Sequence, residues 1–75
     1  MRILSEVTIM QIKINGQTKT FADGSNLEAI IKQSCQNCQR VIAEVNGAII
    51  KSQQWGQQPI RQGDQIELVS FVGGG

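Results

Sequence analysis

Histidine and tyrosine are absent from this chain of 75 residues, cysteine occurs twice and proline once. Each shortage closes a class of function. A structural zinc site needs four nitrogen or sulfur ligands. The two thiols of Cys35 and Cys38, spaced as "CQNC", supply half of them, and no histidine exists to complete the set. A plant-type iron–sulfur cluster needs four cysteines and is excluded. A dithiol redox centre usually opens a helix, whose N-terminus lowers a thiol pKa. Here the pair follows the helical pattern, where the carbonyl end raises it, so the reading is two loop thiols. Neither sign of charge dominates: seven basic and six acidic residues give a net charge of +1, scattered singly and in pairs. No basic stripe marks a nucleic-acid partner. The longest apolar runs are three residues, too short for a membrane span or a secretory signal. A cytoplasmic protein without membrane or nucleic-acid partners is expected.

What is present is enough for one small folded domain. Apolar residues make up 40% of the chain, too many for a disordered segment. From Met10 the apolar positions Met10, Ile12 and Ile14 alternate with polar ones, the period of a half-buried strand. "NG" at Asn15–Gly16 is a hairpin signal, and "TKTF" returns as the second strand. Ser25 or Asn26 can cap a helix, and Glu28 stands three residues after Ser25 as a capping box requires. Leu27, Ile30 and Ile31 share one helical face, and the period is lost near Ser34. A strand over 41–45, a second "NG" turn at Asn46–Gly47 and a short partner over 48–50 follow. The stretch "KSQQWGQQPI" has no clean period and reads as an irregular crossover with a 3₁₀ turn at 52–55. A turn at Gly63–Asp64 then leads into a final strand from Gln65 to about Val72.

The order strand, strand, helix, strand, short strand, crossover, strand predicts an α+β domain. One main helix packs across a mixed sheet of four to five strands, with the last strand central and parallel to the first. This is the ubiquitin-like β-grasp arrangement. It occupies residues 10–70, with 71–75 as a flexible C-terminal tail. Residues 1–9 stand outside the plan, as an extra edge strand or a loosely held leader, the latter being the expectation.

The tail "FVGGG" carries the chemistry. A C-terminal carboxylate, with a pKa of about 3.3–3.7, is ionised at neutral pH and is an oxygen nucleophile. It is a poor acyl donor until attack on the α-phosphate of ATP turns it into an acyl-adenylate. Bringing two anions together needs Mg²⁺ and cationic groups. This chain has no phosphate-cradling loop before a helix and no carboxylate pair placed for a metal. ATP and Mg²⁺ therefore belong to a partner enzyme, and the chain itself is expected to bind no cofactor and to be no enzyme. Gly73, Gly74 and Gly75 reach roughly 10 Å when extended. Lacking Cβ atoms, they can thread a channel closed to other residues.

"MQIKING", "VNGAIIKSQQW" and "GDQIELVSFVGGG", with the spacing between them, resemble the ThiS family, the bacterial ubiquitin-like sulfur carriers of thiamine biosynthesis. "CQNC" and the first nine residues depart from the family's usual pattern. The resemblance implies that a ThiF-like enzyme adenylates the Gly75 carboxylate. Sulfur from a cysteine desulfurase or other persulfide donor then replaces AMP and leaves a thiocarboxylate. A ThiG-like thiazole synthase accepts that sulfur. Gly74 is then the steric gate, Gly73 threads with it, and Phe71 and Val72 form the docking stem. Alternate strand residues face opposite sides, so one of Phe71 and Val72 packs inward and the other is free for a partner. The small subunit of molybdopterin synthase and a noncatalytic β-grasp interaction module are the alternatives. Trp55 reads as a core or rim filler whose indole N–H wants an acceptor. Arg40, Lys51 and Arg61 read as solvated, and the two "NG" turns as structural.

Overall fold

The computed structural model describes residues 2–4, 7–35 and 40–70. Six strands, one α-helix and one 3₁₀ segment follow in the order β1 (Arg2–Leu4), β2 (Val7–Ile14), β3 (Gln17–Ala22), α1 (Leu27–Ser34), β4 (Val41–Val45), β5 (Ala48–Ile50), the 3₁₀ turn Ser52–Gln57 and β6 (Gln65–Ser70). The sheet runs β1-β2-β6-β4-β5, with β3 also paired to β2. As expected, β6 is central: parallel to β2 through Lys13↔Gln65 and Ile14↔Ile66, antiparallel to β4 from Val41↔Ser70 to Val45↔Ile66. The mixed β-grasp sheet read from the sequence is present, with β1 added ahead of it. β1 pairs antiparallel with the start of β2 through Arg2↔Ile9, Ile3↔Thr8 and Leu4↔Val7.

Both hairpin turns follow from their residues. Asn15 and Gly16 have φ of 50° and 82°, and Asn46 and Gly47 have 51° and 88°. Positive φ at both central positions defines the type I′ turn, whose twist matches the flanking strands, and Asn-Gly is its favoured pair.

The helix begins one residue later than a Ser25 cap would place it. Asn26 is the N-cap, its Oδ1 accepting from the Ala29 amide at 2.8 Å. Ser25 Oγ instead donates to the Ala22 carbonyl at 2.7 Å. With Asn26 as cap, the third helical residue is Ala29, so the Ser25–Glu28 capping box is not made. The face of Leu27, Ile30 and Ile31 is fully buried against Met10, Ile12, Ile14, Ala43, Val45, Ile60 and Ile66. Among the described residues no polar or charged side chain is buried, so burial of aliphatic area holds α1 on the sheet.

The crossover is more ordered than its sequence suggests. Its 3₁₀ turn extends to Gln57, two residues beyond the expected end. Trp55 is half-buried on the core and its indole N–H donates to the Ile50 carbonyl at 2.9 Å. Leu27 N–H donates to the Gln58 carbonyl at 2.9 Å and Asn26 Nδ2 to that of Gly56 at 3.1 Å, tying the crossover to the start of α1. Cys35 follows the helix, its N–H donating to the Ile31 carbonyl at 3.1 Å. Cys35 is disulfide-bonded, which corrects the reading of two loop thiols; the chain's other cysteine, Cys38, lies outside the described residues. Among the described residues no helix is long and apolar enough to cross a membrane.

Candidate functional site

Phe71, Val72, Gly73, Gly74 and Gly75 lie outside the described residues, so the site is approached through the strand that leads to them. β6 is flanked by β2 and β4, and each neighbouring hairpin turn grips it. Asn46 Oδ1 accepts from the Gln65 amide at 2.9 Å, and Asn46 Nδ2 donates to the Asp64 carboxylate at 3.1 Å. Asn15 Oδ1 accepts from the Leu68 amide at 2.8 Å, and Asn15 Nδ2 donates to the Leu68 carbonyl at 3.2 Å. The turn before β6 is fastened too. Asp64 Oδ2 accepts from the Arg61 amide at 2.9 Å, and the Gly63 amide donates to the Gln11 carbonyl at 2.8 Å. The strand that leads to the tail is thus tethered along both flanks and at its entry turn.

Alternation along β6 and β4 sends Ile66, Leu68, Ala43 and Val45 toward α1. Glu67, Val69, Ile42 and Glu44 go to the opposite, helix-free face. Ile42 and Val69 are directly opposite in the register and stay 42% and 54% exposed, with Ile49 of β5 at 67%. Two pairs along, on the same face, Glu44 and Glu67 are also directly opposite, and Glu44 pairs with Ile49 on its other side. Like charges so placed are unfavourable in the free chain. Among the described residues neither carboxylate has an ion-pair partner. The face thus combines exposed aliphatic side chains with two facing acids, one on β4 and one on β6, the strand that leads to the tail.

Among the described residues no group of three or more potential metal ligands comes together. Arg40, Lys51 and Arg61 are exposed, as expected of solvated charges.

The ThiS family model matches residues 12–75, through the C-terminal glycine. This chain belongs to the ThiS family. The sulfur carrier protein ThiS of Escherichia coli strain K12 is 32% identical over 66 residues, which are 88% of this chain and 100% of that protein. A thiamine biosynthesis protein ThiS from Geobacter metallireducens superposes with a TM-score of 0.73 at 26% identity, over 88% of this chain and 100% of that one. The thiazole synthase of Paramagnetospirillum magneticum is 30% identical over 66 residues, and that of Magnetococcus marinus 32%. The chain spans about one fifth of the length of these two synthases (20% of each). The ThiS match begins within β2, so β1 lies before the family segment.

Reading the sequence missed two features of this ThiS domain. The turn asparagines were given no task beyond the turn, although asparagine, unlike glycine, brings a donor and an acceptor to that position. The exposed aliphatics were not singled out. Their signal was parity: Ile42 alternates with core Ala43, and Val69 with core-facing Leu68.

Proposed function

We propose that the chain is the sulfur carrier of a thiamine pathway, a protein co-substrate whose working group is the Gly75 carboxylate. The observation that carries this reading is the family match that runs through the terminal glycines. A ThiF-type enzyme holding MgATP activates the carboxylate: an oxygen attacks the α-phosphate, pyrophosphate leaves, and an acyl-adenylate forms. The terminal sulfur of a persulfide, supplied by a cysteine desulfurase or another donor, attacks the acyl carbon and AMP departs. A thiol then cleaves the S–S bond, leaving the thiocarboxylate. Thiazole synthase is the acceptor, a role supported by two thiazole synthases that contain a segment similar to this chain. The site of action is the cytoplasm, where ATP and these partners meet.

The chain's own contribution is presentation. The adenylating enzyme must approach along β6 to hold the tail, and the helix-free face of Ile42, Val69, Glu44 and Glu67 is continuous with it. The aliphatic pair suits an apolar patch, and the two acids suit a cationic side chain on the partner. Gly74 passes the narrowest point of the channel, with Gly73 behind it and Phe71 and Val72 as the stem. Incubation with a ThiF-type enzyme, MgATP, a desulfurase, cysteine and a thiol reductant, followed by intact-mass measurement, tests the reading. Exchange of one oxygen for sulfur at the C-terminus is the expected result. An unchanged mass, with partners proven competent on their own carrier, refutes it.

A further inference from the structure

The flank of β6 that faces β2 runs out of strand before β6 does. The ladder between them ends at Ile14↔Ile66, and the Asn15 amide donates to the Ile66 carbonyl at 2.9 Å. Backbone groups on this flank alternate along β6, so those of Leu68 come next. They are met by the Asn15 side chain, whose amide offers one acceptor and one donor as a peptide unit would. The amide stands in for the missing β2 residue and carries the sheet's edge one step further. Among the described residues Leu68 is the last whose groups on this flank are bonded; beyond it β6 is paired from the other side, where Val69 stands opposite Ile42 of β4. Glycine or aspartate would also satisfy a type I′ turn at this position, but neither offers both halves of the clamp.

We propose that Asn15 is a positioning residue for the carboxylate chemistry. By holding Leu68 in the plane of the sheet, it fixes the point and direction from which residues 71–75 depart toward the partner's nucleotide. The inference rests on the reading of Gly75 as the adenylated residue. Asn46 is its internal control: the same residue in the same turn, gripping the same strand at Gln65, the end remote from the tail.

The test compares Asn15→Gly with Asn46→Gly in the full chain. Both keep the turn, and each loses two side-chain hydrogen bonds to β6 or the turn before it. Unfolding curves set a temperature at which all proteins are more than about 95% folded. Adenylation by a ThiF-type enzyme is then followed by pyrophosphate exchange with the carrier varied. Asn15→Gly is expected to lower kcat about tenfold with KM within twofold, because the docking face is untouched. Asn46→Gly is expected to keep both within twofold. Asn15→Asp keeps the acceptor for the Leu68 amide and sets a carboxylate against the Leu68 carbonyl; it is expected to fall between Asn15→Gly and wild type. Amide exchange at Leu68 should accelerate in Asn15→Gly alone. Wild-type kcat in Asn15→Gly, or equal losses in both glycine variants, overturns the positioning role. A wild-type chain that is never adenylated by a competent enzyme refutes the functional reading and the positioning role with it, whereas the exchange measurement still reports on the clamp.

Discussion

Ile42 and Val69 stand opposite one another on the helix-free face, 42% and 54% exposed. Replacing both by threonine keeps the β-branched shape that strands favour while removing apolar surface from the approach to the tail. Complete burial of such a side chain is worth about 1.5–3 kcal/mol. A partner covering the face can still gain about 0.6–1.3 kcal/mol at Ile42 and about 0.8–1.6 at Val69, in proportion to their exposure. The sum, about 1.4–2.9 kcal/mol, is what loss of both side chains would forfeit; threonine forfeits roughly half of it, a Kd about threefold to tenfold weaker. Threonine retains one methyl at each site, so the free domain should lose only about 1 kcal/mol. That leaves it folded, given about 4–11 kcal/mol for a domain of this length. Kd for a ThiF-type enzyme is measured by calorimetry and stability by urea unfolding. Ile31→Val is the control: Ile31, on the buried face of α1, is 1% exposed, and its truncation costs a similar 0.5–1.5 kcal/mol or so without touching the helix-free face. If Ile42→Thr/Val69→Thr binds within twofold of wild type, or Ile31→Val loses as much affinity, the face is not the docking surface.

Ile30, with no exposure at the centre of the helix–sheet contact, should cost about 2–5 kcal/mol on truncation to alanine. A drop below about 1 kcal/mol in urea unfolding would show that α1 does not carry the core. Glu44→Gln removes a like charge directly opposite Glu67 and should raise stability by about 0.2–1 kcal/mol at low salt. The gain should shrink as salt is added, and a salt-independent effect would point to a cause other than repulsion. Gly74→Ala should unfold like wild type and fail to be adenylated; normal adenylation of that variant, read by intact mass, would remove the steric gate from the scheme.

Hairpins and helix face were legible because each rests on local chemistry with a single solution, and the central last strand because the order of elements and the length of the crossover leave it that place. Asn-Gly at 15–16 and 46–47 specifies a turn with both φ values positive. Leu27, Ile30 and Ile31 can share a face only in a helix. Three features were not legible, for physical reasons. β1 pairs with β2 over only three residue pairs, and the sequence between the two strands carries no Asn-Gly or Gly signal. The choice between Ser25 and Asn26 as cap depends on which side chain is already engaged, and Ser25 is drawn off by the Ala22 carbonyl. Ile60 is 3% exposed yet sits in a stretch without periodicity. What buries it is the docking of the crossover onto α1, a tertiary event that no local window contains.

The candidate site divided the same way. A use for the tail is proposed from composition, because three glycines after strand-forming residues serve no core. How β6 is held ahead of the tail was not legible, since the clamp lies far away in sequence: Asn15 reaches Leu68 across 53 positions. The parallel pairing of β2 and β6 makes this placement unavoidable. A strand parallel to β2 leaves the sheet at the end where β2 finishes, beside the first hairpin turn, so the residue in that turn is the one able to clamp it. By the same geometry β1, paired to residues 7–9 of β2, lies at the opposite end of that strand. The added strand therefore lengthens the sheet away from the end at which β6 leads into the tail. On the proposed reading, in which a partner grips the last residues, an extra strand is accommodated there, whereas one beside the Asn15 turn would occupy the partner's approach.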